Sequence, residues 1–222
     1  MEVNDNHEKA SLFVKLFFPP PPADSTVPRN FRYPEPIPTP PQFTRAQLEH
    51  QVSRLSPYKA YGPDDIANVV LQRCIDLIGD HMLLIYKAIL TLGIYYDPWR
   101  ESTTVVLRKP GKLNYEVPKV HRPIVLLSTV AKVLTALVAE DISRLVKRHQ
   151  LLPKTHFGGR PGRTTVDAVH YLAQCIKGAW QKDKVALILF LDVEGAFPTA
   201  VTDRLIHNLR RRRIPAVYVA FI

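Results

Sequence analysis

Residues 185–197 read VALILFLDVEGAF: seven apolar side chains in a row, then Asp192, then a turn residue, Gly195. An apolar run of this length, with no alternation, predicts a short strand buried on both faces. Asp192 directly after it stands at the rim of a hydrophobic core, where an ionised carboxylate without a partner is costly. Something positive should neutralise it. A divalent metal shared with substrate phosphates would do so, as would an Arg or Lys from a nearby loop. A carboxylate that merely caps the next turn is the plain alternative.

Upstream of this run, helices alternate with short extended pieces. Thr164 or Thr165 caps a helix predicted to run to about Trp180, and before it the loop FGGRPGR, residues 157–163, carries three glycines and two arginines. Such a loop can lie along a sugar-phosphate backbone, or be a flexible linker with incidental arginines. Ser128 or Thr129 caps a long amphipathic helix with Val133, Leu134, Leu137, Val138, Ile142 and Leu145 on its apolar side. Ahead of that helix, residues 103–108 and 124–127 are short β-rich pieces joined through Pro110-Gly111, which predicts a hairpin. Arg108, Lys109, Lys112, His121 and Arg122 make the hairpin basic. It can close over a triphosphate, Arg giving bidentate contacts, Lys a mobile charge and Gly111 close backbone approach, or it can be an ordinary solvated hairpin.

The folded part is expected to begin near Thr44, whose capping-box partner Gln47 precedes apolar residues at helical spacing. Asp64 or Asp65 is expected to cap a helix that Gly79 ends, with another helix from about Asp80 to Gly93. Downstream, Leu205, Ile206 and Leu209 predict a closing helix ending in the arginine run 210–213, more often a solvated helix end than a nucleic-acid contact. Ten of the 20 prolines fall between Pro19 and Pro41. Residues 1–42 therefore read as a proline-rich linker or tail, disordered or in polyproline II, with the patch at Phe13 able to dock on the main domain. The fold class is α+β.

Lys and Arg number 30 against 20 Asp and Glu, a net charge of +10, which favours an acidic partner, nucleic acid being the usual one. No apolar stretch approaches a membrane span, so a membrane protein is not expected. Three acidic residues precede the first apolar stretch, the wrong order for a secretory signal, which points to an intracellular protein. The two cysteines, Cys74 and Cys175, lie far apart and argue against a disulfide scaffold or a cysteine-rich zinc site.

Four blocks in order, KAYGPDDIANVVL (59–71), VLRKPGKLNYEVPKVHRPIVLLSTVAKVL (106–134), HFGGRPGRTTVDAVHYL (156–172) and LFLDVEGAF (189–197), resemble successive blocks of the reverse transcriptase of non-LTR (LINE-type) retrotransposons. The resemblance implies a partial right-hand polymerase over residues 43–222, the fingers and the first palm strand, behind a linker over residues 1–42. It implies that Asp192 is the first catalytic carboxylate and ligates Mg²⁺ in two-metal nucleotidyl transfer, with the Val193 carbonyl as a further metal ligand. Gly195 and Ala196 would offer backbone amides to the triphosphate, and Phe197 would be the aromatic gate that rejects a 2′-hydroxyl. Arg122 would hold the triphosphate with Lys109 and Lys112 in support, and Arg160 and Arg163 would lie near the template. Partners implied are an RNA template, a DNA primer, a dNTP and further segments of the same polyprotein, in the nucleus or cytoplasm.

Pro198 stands where many relatives carry Asp, and the template loop has His156-Phe157-Gly158-Gly159-Arg160 in place of the commoner QFGFR. The later blocks that carry the remaining catalytic aspartates have no counterpart in these 222 residues. The expectation is a truncated reverse transcriptase domain, inactive by itself. Its alternatives are a non-catalytic remnant that binds RNA or an RNA–DNA hybrid, and a fossil without function. A haloacid-dehalogenase-like phosphotransferase, with Asp192 as nucleophile and Glu194 as acid or base, ranks below these, because its remaining motifs do not fit downstream.

Overall fold

The computed structural model describes residues 5–20, 27–193, 195–196 and 199–222. They divide into two units, Met1–Ala139 with Gly195–Ile222, and Glu140–Glu194. In chain order the elements are α1 (Asn6–Phe17), α2 (Arg45–Ser53), α3 (Asn68–Leu92), β1 (Ser102–Arg108), β2 (His121–Leu127), α4 (Thr129–Arg148), α5 (Thr165–Trp180), α6 (Thr202–Arg211) and α7 (Ala216–Phe221). Single 3₁₀ turns at Asp97–Arg100 and Pro118–Val120 precede β1 and β2. The chain is mixed helix and strand, and among the described residues β1 and β2 form the one sheet.

In the first unit α2 starts where the sequence places it. Thr44 Oγ1 accepts from the Gln47 amide at 3.3 Å while Gln47 Oε1 accepts from the Thr44 amide at 2.9 Å, which satisfies two of the donors a helix start leaves open. Leu48 and Val52 on its inner face are buried together with Phe43.

The two helices expected on either side of Gly79 are one, α3, 25 residues long. Gly79 is a seat, not a stop: a Cβ there would overlap the Arg45 guanidinium, which donates to the Ile75 carbonyl at 2.6 Å and pairs with Asp80 at 2.9 Å. The true end is Gly93, whose left-handed φ of 65° costs a glycine little.

Asp64, expected to cap the helix that follows it, serves another. Its carboxylate accepts from the Ser128 hydroxyl at 2.8 Å and the Thr129 amide at 2.6 Å, at the start of α4. A negative charge there also suits the positive end of the helix dipole. The turn can approach so closely because Gly62 lies against the Leu127 carbonyl, where a Cβ would overlap backbone. Tyr86, wholly buried, donates its hydroxyl to the Val130 carbonyl at 2.7 Å, joining α3 to the first turn of α4, and burial pushes the phenol far above its ordinary range.

The described part of the segment expected as a linker makes definite contacts. The Ile37 amide donates to the Arg213 carbonyl at 2.8 Å, Arg213 Nε returns a bond to the Glu35 carbonyl at 2.9 Å, and Ile37 is buried. Phe31 and Tyr33 both meet the buried His207 ring of α6, edge to face, and Tyr33 Oη lies 2.9 Å from His207 Nδ1. Residues 31–37 therefore form a strap over α6. After it, α7 is a helix that no capping or periodicity signal had indicated; Tyr218 and Val219 are its buried residues.

In the second unit α5 begins with a second capping box, Thr164 with Asp167. The rest of α4 contributes buried Leu145 and the buried carboxylate of Asp141, paired with Arg144. Residues 185–191, expected as a strand buried on both faces, have no regular structure and, apart from half-buried Ala186, are exposed, Leu187 by 97% and Leu191 by 83%. An extended segment becomes a strand only when a neighbour takes its N–H and C=O groups, and among the described residues none does. No helix among the described residues is long and apolar enough to cross a membrane.

Candidate nucleotide and nucleic-acid interface

The expected basic hairpin exists, with longer strands than the sequence suggested. β1 and β2 pair antiparallel over seven positions, Arg108 facing His121 and Leu107 facing Arg122. Opposed residues share a face, so Arg122 lies on the face of Val105, Leu107 and Ile124, and His121 with Arg108 on the other. Val105, Leu107, Ile124 and Arg122 are all exposed.

Between the strands the chain is held by its own side chains. The Lys109 amide donates to the Val120 carbonyl at 2.8 Å, and its ammonium donates to the Lys119 carbonyl at 2.6 Å. Tyr115 Oη donates to the Lys109 carbonyl at 2.9 Å, and the Arg108 guanidinium lies 5.1 Å above the Tyr115 ring. Lys112 is exposed at the turn, next to Gly111 with φ of 74°. The structure thus brings Lys109, Lys112 and Arg122 onto one hairpin, with Lys109 engaged in holding the turn and the other two exposed to solvent.

Arg160 and Arg163 lie together on the loop before α5. Arg160 Nη1 donates to the carbonyls of Pro153 at 3.0 Å and His156 at 3.2 Å, which closes the loop on itself. A guanidinium has five N–H donors, so most of its capacity stays available. Arg163 stacks over the Phe157 ring at 5.4 Å, and Phe157 rests on Tyr171 of α5 at 5.9 Å. The Asp167 carboxyl is held below the usual carboxylate range, first by the Thr164 hydroxyl and then by the Thr164 amide.

Asp192 is exposed, and its Oδ1 accepts from the Val193 amide at 2.8 Å. That contact is local, to the amide of the next residue. Gly195 has φ of 64°, and its carbonyl accepts from the Thr199 amide at 2.9 Å and hydroxyl at 2.7 Å, while Ala196 is exposed. Phe197, the expected gate, lies outside the described residues, as does Glu194. Among the described residues no three His, Cys, Asp or Glu side chains gather to hold a metal ion. One exposed carboxylate supplies only part of the ligand set of a two-ion magnesium site.

No family model matches the chain. Curated relatives do. It is 30% identical over 172 residues, 78% of its length, to the "Probable RNA-directed DNA polymerase from transposon BS" of Drosophila melanogaster. It is 30% identical over 184 residues to the "Probable RNA-directed DNA polymerase from transposon X-element" of the same fly, 81% of this chain. Against the RNA-directed DNA polymerase from mobile element jockey it is 23% identical over 79% of its length. The chain belongs to the non-LTR retrotransposon reverse transcriptases. It spans about a fifth of the length of the relatives it matches, 19%, 20% and 19% in turn.

In this reverse transcriptase segment, two residues of the candidate interface were missed by the sequence reading, and a third, Asp64, was read as a possible cap for a different helix. Tyr115 and Phe157 are the rings on which Arg108 and Arg163 rest, and Asp64 ties the end of β2 to α4. An aromatic residue close in sequence to each arginine was the available signal for the first two. Asp64 offered none, because its partners are 64 and 65 residues away.

Proposed function

We propose that these 222 residues are the fingers and first palm segment of a right-hand reverse transcriptase, residues 43–222 supplying that part behind the linker of residues 1–42. In this reading the chain holds an RNA template, a DNA primer and a dNTP, inside the cell, in nucleus or cytoplasm. By itself it does not polymerise. The observation that carries the reading is the match of about four fifths of the chain to RNA-directed DNA polymerases. The hairpin cations support it.

Arg122 and Lys112 contact the triphosphate, Arg122 as a bidentate fork and Lys112 as a mobile charge. Lys109 acts mainly by shaping the turn, its ammonium being bonded to Lys119. Arg160 and Arg163 run along the template backbone on a loop that Phe157 and the carbonyls of Pro153 and His156 keep in shape. Gly195 and Ala196 offer amides, Phe197 gates the sugar, and Asp192 with the Val193 carbonyl contributes part of a ligand set for Mg²⁺. The rest of that set comes from other polymerase segments of the same polyprotein, and no step of the transfer is assigned to this chain alone.

A primer-extension assay on an RNA template with Mg²⁺ tests this. The expected result is that the chain retards the primer-template in a gel and yields no extended product. Extended product would overturn the incomplete site, and failure to retain the primer-template would overturn the reading as a whole.

A further inference from the structure

We infer that α1 is a clamp that positions the basic hairpin, with Phe13 as the positioning residue and the turn of residues 109–120 as what it holds. Alone in water a helix of 12 residues is marginal, so α1 depends on what it touches. Asp5 caps it by accepting from the His7 and Glu8 amides at 3.1 and 3.2 Å. Phe13, Leu16 and Phe17 are its partly covered apolar residues, at the i, i+3, i+4 spacing of a single stripe.

That stripe lies on the hairpin. The Phe13 ring meets His121 edge to face at 5.0 Å and stacks on Phe17 at 5.7 Å, and α1 also touches the Pro118–Val120 turn. His121 passes the contact on: its ring is 6.2 Å from Tyr115, which donates to the Lys109 carbonyl and supports Arg108. Both ends of the turn, Lys109 and residues 118–121, therefore rest on one surface that α1 closes. Because successive side chains of a strand alternate, the clamp sits on the His121 face and leaves the Arg122 face open.

A second observation favours a clamp that can lift. His121 Nδ1 is buried with no hydrogen-bond partner, so seating α1 leaves a polar nitrogen dry, and lifting α1 returns it to water. The Phe13–His121 ring contact works against that cost. The consequence for function rests on the reading of the hairpin as a triphosphate site: a turn that is only part of the time in shape weakens apparent binding by that fraction.

Hydrogen–deuterium exchange on the whole 222-residue chain tests the clamp without any ligand. Phe13→Ala is expected to speed exchange of the Lys109 and Val120 amides about fivefold or more while α2 and α3 stay unchanged, and Phe13→Tyr to keep the protection. His121→Phe, which removes the dry nitrogen and keeps the ring, is expected to protect these amides as well as His121 does or better. Unchanged exchange in Phe13→Ala, or lost protection in His121→Phe, would overturn the inference. Tripolyphosphate, as the probe, should bind Phe13→Ala about threefold more weakly or worse. An unaltered constant in a variant whose turn has loosened would overturn the positioning role. If the unaltered chain binds no tripolyphosphate, the triphosphate reading fails, and the exchange result still decides the clamp.

Discussion

A Cβ on Gly62 would overlap the Leu127 carbonyl, a backbone group with nowhere to move, whereas one on Gly79 would overlap the tip of Arg45, which can swing into solvent. The same substitution should therefore have different outcomes. Gly62→Ala is expected to cost more than about 2 kcal/mol through steric strain at the β2–α4 junction. Gly79→Ala gains about 1 kcal/mol of helix propensity and loses half-buried Arg45 contacts of similar size, so its net effect should lie within about 0.5 kcal/mol of zero. Urea unfolding of the two variants checks both. Asp167 carries a pH prediction: since its folded pKa is depressed, its contribution to α5 is present above the ordinary carboxylate pKa and fades as pH falls through the folded value. Thr164→Ala removes the hydroxyl and keeps the residue-164 amide, so it should raise the Asp167 pKa part of the way toward its ordinary value, measurable by NMR. Thr164 was one of two legible cap candidates with Thr165, and its partner Asp167, three residues on, went unread although the capping box is local. Asp64 was read as a local cap because its real partners lie beyond any local pattern.

Among the elements, α2, α5, the basic hairpin and α6 were legible, each having a local signal such as a cap or a β-branched run. The single helix α3 was not. Gly79 followed by Asp80 looks like a stop and a new start, and only the seat for Arg45 explains a glycine inside a helix. Residues 185–191 show the converse. Their composition suits a strand buried on both faces, but strand formation is a property of the neighbours as much as of the run. The exposure of Leu189, 77%, makes a prediction: Leu189→Lys in this chain should change unfolding stability by no more than about 0.5 kcal/mol and improve solubility. A loss of roughly 3 kcal/mol would mean that the run is packed after all.

At the scale of the molecule, the net charge of +10 favours a polyanionic partner without saying where it binds. The structure distributes the candidate cations over two units, Lys109, Lys112 and Arg122 on the hairpin of one and Arg160 and Arg163 on a loop of the other. The strap of residues 31–37 was invisible to composition, since prolines speak for extended backbone and not for what that backbone lies on. Its anchor, the Phe31 and Tyr33 pair on His207, depends on residues more than 170 positions apart. The central claim is that these 222 residues bind an RNA template-primer, with Arg160 and Arg163 along its backbone. Its most direct test is the salt dependence of affinity for an RNA–DNA primer-template. The two arginine contacts predict a slope of log K against log salt of about −2 or steeper, and Arg160→Ala with Arg163→Ala should make it shallower by about 2. A slope near zero, or one that is the same without the two arginines, would contradict the account.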